Sequence, residues 1–130
     1  MTAPKVTKTD ILNATDGMLQ KQLYAVFTSP IDGLGPVMES LEPHLKFLIE
    51  QEKIGTLMCA GPFWADDEET WNGEGMVIFR ASSLQEARDL AAADPMHSSG
   101  ARSFTIRPWL LNEGTFGVSL NFSTGKYTVA

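Results

Sequence analysis

The stretch EGMVIFRASSLQEARDLAAADPMHSSGARSFTIRPW, residues 74–109, contains a strand pattern, a helix pattern and a second strand pattern in succession. Residues 74–81 mix β-branched, aromatic and small apolar side chains, which predicts a strand. Ser83 with a glutamate three residues later matches a capping box, and the helix that follows should end before Pro95. Apolar and polar residues alternate over 101–109, as in a strand with one buried face. The stretch therefore predicts a strand-helix-strand unit.

The residues before this stretch predict the same kind of unit. Residues 22–29 (QLYAVFTS) read as a strand, and apolar residues recur every three or four positions over 37–53, which predicts a helix. Residues 56–64 read as a strand that forms a long-looped hairpin with 74–81. The resulting order, β-α-β-β-α-β, predicts a ferredoxin-like α+β fold, with a four-stranded antiparallel sheet and both helices on one face.

The opposite, helix-free face of this sheet is expected to be apolar. Leu23 and Phe27 alternate with Tyr24 and Val26 along the first strand, so both of its faces carry bulky apolar side chains. A large exposed apolar face is unusual in a monomer. We therefore expect a second subunit to cover it, in a homodimer or a higher oligomer.

The tails lie outside this core order. We divide the chain into an N-terminal extension (1–21), an α+β domain (22–111) and a C-terminal β extension (112–130). A short helix is expected from about Thr9. The C-terminal extension alternates in the manner of an added hairpin, which we expect to extend the fold or to exchange between subunits.

Charge and cysteine usage exclude several classes of partner. The net charge is −6, so a basic surface for nucleic acid or anionic membranes is not expected. No apolar run is long enough to span a bilayer, and the N-terminus lacks the apolar stretch of a secretory signal. Cys59 is the only cysteine, which excludes an intrachain disulfide, and its apolar context suggests a free buried thiol. A cytoplasmic protein is expected.

Asp94 is an acid at the predicted end of a helix, where the helix dipole is unfavourable for a negative charge. His44, in the first helix, borders that helix's apolar stripe and can supply a compensating donor if the helices lie side by side. The alternative is that Asp94 caps the turn made by Pro95 and Met96. A carboxylate that accepts a hydrogen bond from one imidazole nitrogen fixes the tautomer and increases the basicity of the other nitrogen.

Further residues are candidates for substrate binding. His97 can pair with Asp94 or line a pocket, although it is equally ordinary in an exposed turn. Either Arg102 or Arg107 can hold a carboxylate, and we assign Arg107 to the site. Aromatic side chains near the acidic loop can form an apolar wall, and a glycine-proline pair can form the pocket floor. The candidate binding residues are His97, Gly61, Pro62, Phe63, Trp64 and Arg107.

Three segments, EPHLKFL, CAGPFW and ADPMHSSGARSFTIRPW, together resemble the YCII-related family. The resemblance spans about residues 22–111. It implies a dimeric α+β barrel with a pocket near a helix histidine and an acid before proline, here His44 and Asp94. The family is similar in fold to muconolactone isomerases, and its assigned activities include elimination of HCl from a chlorinated aromatic diol.

These observations predict a small enzyme that transfers a proton without a cofactor, as a lyase or isomerase on a small aromatic or lactone-like compound. His44 and Asp94 would be its catalytic residues. The alternative is a module with the same pocket that binds a small molecule without converting it. One cysteine and two histidines without ligand spacing give no metal site, and the acidic run 66–69 is expected to be a solvated loop.

Overall fold

A computed structural model describes residues 3–130 of the chain. Its helices are α1 (Lys8–Ala14), α2 (Leu34–Ile54), α3 (Leu84–Ala93) and α4 (Pro95–Ser98). Its strands are β1 (Lys21–Pro30), β2 (Leu57–Pro62), β3 (Gly75–Phe79), β4 (Arg102–Leu111), β5 (Val118–Asn121) and β6 (Lys126–Val129). The chain forms two compact units. One is Gln22–Leu110, and the other combines the chain up to Lys21 with Leu111–Ala130.

Four strands form one sheet in the order β2-β3-β1-β4. Val77 of β3 is the partner of Val26 in β1 and of Ala60 in β2, and both pairings are antiparallel. Helix α2 connects β1 to β2, and α3 with α4 connects β3 to β4. This confirms the predicted ferredoxin-like α+β arrangement.

Glycines and a serine define the ends of the two long helices. Helix α2 begins at Leu34, earlier than predicted, because Gly33 enters it with φ 67° and without a side-chain cap. It ends at Gly55, whose φ of 88° is favourable only for glycine. Ser83 caps α3 by accepting a hydrogen bond from the Glu86 amide. The carboxylate of Glu86 bonds to Ser82 instead of Ser83, so only half of the predicted capping box forms.

The core lies between the sheet and the long helices. One buried cluster consists of Val26, Leu57, Val77, Phe79 and Ala91. A second cluster of Val37, Met96 and Ala101 lies where α2 meets α4. The short helix α4 was not predicted. It matters for function because it carries His97 and connects α3 to β4.

The helix-free face is less bare than the sequence suggested. Pairing and alternation place Leu23, Ala25 and Ile78 on it, and all three are at most 5% exposed. Phe27 on the same face is 40% exposed. Cys59 is exposed rather than buried as expected, because it lies on the edge strand β2. The uncovered apolar part of this face is therefore smaller than predicted.

The second unit contains the added C-terminal hairpin of β5 and β6. Val118 pairs with Val129 and Leu120 with Tyr127, so the apolar side chains share one face of the hairpin. All four are exposed. Helix α1 begins at a capping box made by Thr7 and Asp10. No helix within residues 3–130 is long and apolar enough to cross a membrane.

Candidate functional site

The imidazole of His44 meets the carboxylate of Asp94 where α2 passes the end of α3. His44 Nδ1 lies 2.8 Å from each carboxyl oxygen of Asp94. Both residues are buried, with 7% of His44 and 2% of Asp94 exposed. They are 50 positions apart in sequence, so the packing of α2 against α3 and α4 creates the pair. The structure therefore brings together the two residues that the sequence singled out.

Asp94 lies at the junction of two helices. It is the C-terminal cap of α3 and the N-terminal cap of α4, with extended backbone angles (φ −61°, ψ 129°). Its Oδ1 accepts a hydrogen bond from the Met96 amide at 2.9 Å. A side chain that caps a following helix compensates for an unfavourable position at the end of the preceding one. Both explanations of Asp94 offered by the sequence, the histidine partner and the turn cap, therefore describe real contacts.

The pair fixes the tautomer of His44. A carboxylate only accepts hydrogen bonds, so Nδ1 must carry the proton when Asp94 is ionised. Nε2 then has a free lone pair. No group within residues 3–130 forms a hydrogen bond with Nε2. His44 thus has one nitrogen held by Asp94 and one available to a ligand.

His44 lines a cavity of about 410 Å³ between α2 and the sheet. Leu41, Leu45 and Leu48 form the α2 side of its wall, and Trp64 and Trp71 form another part. Gly61 and Pro62 of β2 line it as well. Mostly apolar walls with few polar groups are typical of sites for small organic molecules. Three of the predicted binding residues, Gly61, Pro62 and Trp64, therefore share a cavity with His44.

Phe63 and Arg107 do not line this cavity. Phe63 borders a smaller cavity of about 190 Å³, together with Phe27 and Ser103. Arg107 is exposed and alternates with Phe104 and Ile106, which pack against the core beneath the helices. Its side chain therefore belongs to the helix-free face, on the opposite side of the sheet from His44.

The imidazole of His97 is held by hydrogen bonds at both ring nitrogens, and His97 itself does not line the large cavity. Its Nδ1 lies 2.6 Å from the carbonyl oxygen of Ala91, so Nδ1 donates, and its Nε2 lies 2.8 Å from the Thr28 hydroxyl. The ring packs against Phe104 at 4.5 Å between centroids. Burial lowers the pKa of His97, and the carbonyl of Ala91 partly opposes that effect. These contacts make the His97 side chain a link between α4 and β1. Its imidazole forms no hydrogen bond with the Asp94 carboxylate, although its backbone N–H donates to the Asp94 carbonyl at 2.8 Å.

Arg102 is the cavity residue that the sequence assignment missed. It lines the same cavity as His44 and is only 5% exposed. Its guanidinium carbon lies 5.6 Å above the ring of Trp71. Burial lowers the pKa of Arg102, and the charge of Asp94 opposes the change. The alternation of β4 contained the signal, because Arg102 is in phase with the inward-facing Phe104.

The acidic loop is stabilised by its own backbone. Asp67 accepts hydrogen bonds from the amides of Glu69 and Thr70, and these bonds lower the pKa of Asp67. No group of three or more histidine, cysteine, aspartate or glutamate side chains within residues 3–130 is close enough together to hold a metal ion.

A model of the YCII-related domain matches residues 23–110. The chain belongs to the YCII-related family. A YCII-family assignment agrees with the three sequence segments that suggested it, and it covers the unit that contains the His44 cavity. Residues before 23 and after 110 lie outside the matched range.

Two individual proteins are similar to this family member. The uncharacterized protein YjpA of Bacillus subtilis (strain 168) is 32% identical over 75 residues, which cover 58% of this chain and 81% of YjpA. The solved structure of 5-chloro-2-hydroxyhydroquinone dehydrochlorinase (TftG) from Burkholderia phenoliruptrix AC1100, in complex with 2,5-dihydroxybenzoquinone, superposes with a TM-score of 0.52. That match has 17% identity and covers 67% of this chain and 92% of TftG. At this identity the likeness establishes the fold.

Proposed function

We propose that this chain is a lyase or isomerase in which His44 transfers a proton on a small apolar substrate. The observation that carries the proposal is the position of His44. One nitrogen is 2.8 Å from both oxygens of Asp94, and the residue forms part of the cavity wall. A histidine oriented by a carboxylate and open to a pocket is a common arrangement for general acid-base catalysis.

The chemistry requires only these two side chains. Nε2 of His44 accepts a proton from an acidic C–H or O–H group of the substrate, and the Asp94 carboxylate stabilises the imidazolium that forms. In an isomerisation, His44 returns the proton to a different atom. In an elimination, the C–H electron pair forms a double bond, and the leaving group departs with its own bonding pair. A base in this position contributes about 10²- to 10⁴-fold to the rate.

The walls of the cavity support an aromatic or lactone-like substrate. Leucines from α2 and the indole of Trp64 present flat and branched apolar surfaces to the space beside His44. TftG, which shares the fold, is named as a dehydrochlorinase of 5-chloro-2-hydroxyhydroquinone and was solved in complex with 2,5-dihydroxybenzoquinone. Substrates of that kind are compatible with a cavity of about 410 Å³.

We further propose that the protein acts as a homodimer in a reducing, cytoplasmic compartment. The dimer would cover the exposed part of the helix-free face around Phe27. The assignment to a reducing compartment rests on Cys59, which is exposed and is the only cysteine of the chain.

The test is a search for proton exchange followed by a comparison of variants. Chlorinated hydroquinones and unsaturated lactones are incubated with the protein in D₂O, and NMR follows deuterium incorporation, isomerisation and chloride release. For any compound that reacts, His44→Gln should lower kcat by about 10²-fold or more. The control variant Asp89→Asn, at an exposed site on α3, should leave kcat unchanged.

Circular dichroism must show that the variants are folded. Full activity in folded His44→Gln would refute the mechanism. A native small molecule that copurifies, contacts His44 and remains unchanged after long incubation would identify a binding module instead of an enzyme.

A further inference from the structure

Arg102 is a buried cation that has neither an ion pair nor a hydrogen-bond acceptor among residues 3–130. No group within residues 3–130 accepts a hydrogen bond from its guanidinium, and its Nε is fully buried and unpaired. The negative charge of Asp94 favours the charged form of Arg102, but Asp94 forms its ion pair with His44. A buried charge without a partner is costly, and proteins usually supply a counter-charge or a ligand. The guanidinium therefore lacks the anion that its position requires.

The surroundings of Arg102 indicate where that anion binds. The arginine lines the cavity that also contains His44, and Trp71 packs against the guanidinium and restricts its orientation. The cavity wall supplies no carboxylate, since apart from Arg102 and His44 it is formed by apolar side chains, threonine and glycine. A fixed guanidinium matches a planar, two-oxygen anion through paired N–H donors.

We infer that Arg102 binds the anionic oxygen of the substrate, and that the cavity selects small organic anions with an apolar body. The ligand class is a carboxylate, or a phenolate or enolate of similar size, on an aromatic or unsaturated ring. Arg102 holds the charged end and the leucines and tryptophans hold the ring, so one edge of the ring faces Nε2 of His44. This inference rests on the proposed function in one respect, that the cavity beside His44 is the substrate site.

The test uses benzoate and its neutral isostere benzamide as probes, because they share a ring and differ in charge. Each is titrated into the protein at pH 8 by NMR and calorimetry. The wild type should bind benzoate about tenfold or more tightly than benzamide, since a charge-assisted bidentate contact is lost with the amide. Phenolate-forming nitrophenol then shows whether a single anionic oxygen is sufficient.

Variants assign the preference to a residue. Arg102→Met and Arg102→Gln should abolish the preference for benzoate, whereas Arg88→Gln, which removes an exposed arginine on α3, should keep it. Arg102→Met should be at least as heat-stable as the wild type without ligand, because it removes an uncompensated buried charge. The Arg102 Nε–H resonance of the wild type should shift with benzoate and not with benzamide, which tests the contact even if both variants fail to fold.

Several outcomes would overturn the inference. These are equal binding of the two probes by the wild type, an Arg102 resonance that benzoate does not move, and an unchanged preference in either Arg102 variant. Loss of the preference in Arg107→Gln instead would assign the anion to the opposite face of the sheet. Loss in His44→Gln instead would assign it to the imidazole. Because all of these are binding measurements, they stay separate from failure of the catalytic proposal, which is decided by turnover.

Discussion

Replacing Asp94 by asparagine should reverse the tautomer of His44 while preserving most of the stability of the fold. The Met96 amide can only donate, so the oxygen of the new amide will stay on it. The NH₂ group then faces His44 Nδ1, at the position where Oδ2 now lies 2.8 Å away. The amide oxygen is also 2.8 Å from Nδ1 but already accepts from Met96, whereas an N–H on Nδ1 would face the new NH₂ donor. We therefore expect Nδ1 to become an acceptor and the proton to move to Nε2. Asp94→Asn should therefore remove the base without removing the cap.

The free-energy difference between two variants follows from the same contacts. Asparagine is as good a helix cap as aspartate, so Asp94→Asn should cost about 1 kcal/mol through loss of the charged hydrogen bond. Asp94→Ala leaves the buried Met96 N–H unpaired and removes the carboxylate that accepts from His44 Nδ1. At about 1–3 kcal/mol for each group, and with some relief from a change of tautomer, its cost should be about 2–4 kcal/mol.

Urea unfolding measures the stabilities, and long-range ¹H–¹⁵N spectra of the imidazole report which nitrogen carries the proton. Asp89→Ala, on the exposed side of α3, is the control for removing one negative charge and should stay within about 0.5 kcal/mol of the wild type. Our reasoning fails if Asp94→Asn keeps the proton on Nδ1. It also fails if Asp94→Ala is no less stable than Asp89→Ala.

Three further predictions concern other parts of the molecule. Burial lowers the pKa of His97, so on acidification the unfolded chain is protonated at this position before the folded protein. The free energy of unfolding should therefore fall as the pH drops below about 6.5, by at most about 1.4 kcal/mol per pH unit. In urea titrations this loss should be smaller in His97→Gln. Gly73→Ala should destabilise the fold by about 1 kcal/mol or more, because φ is 87° and the added Cβ would lie 2.5 Å from Pro30 Cγ. In the control Gly35→Ala the added Cβ meets open space, and thermal unfolding should show no loss of stability. Light scattering at micromolar concentration should give the mass of a dimer, and a stable folded monomer would contradict the dimer proposal.

The sequence predicted the order of strands and helices because those elements have strong periodic patterns. The ends of the helices were less predictable where capping side chains and clear stop residues are missing. Nothing in the pattern before residue 37 indicates that Gly33 starts α2, since its cap is a backbone conformation rather than a side chain. Helix α4 was missed because Pro95 reads as the end of one helix, although proline is equally favourable in the first turn of the next.

The candidate site was only partly predictable, for a different reason. An acid at the end of a helix needs a donor nearby, which pointed to His44 as the partner of Asp94, and the family-like segments placed this pair in the site. The partner of His97 could not be found in this way, because Thr28 is 69 positions away and many exposed turns contain a histidine. Of the two strand arginines the sequence offered, Arg107 was assigned to the site and Arg102 was not. Only its phase with Phe104 distinguished it from Arg107.

The 50-residue separation between His44 and Asp94 has a consequence for synthesis of the protein. A ribosome adds about 5–20 residues per second, so the carboxylate emerges roughly 2.5–10 s after the imidazole. During that interval α2 can form, but the cavity cannot, since part of its wall comes from Arg102 still further along the chain. The nascent chain therefore has no functional pocket. A ligand that binds beside His44 would recognise completed molecules alone, and its binding would serve as a direct readout of finished folding.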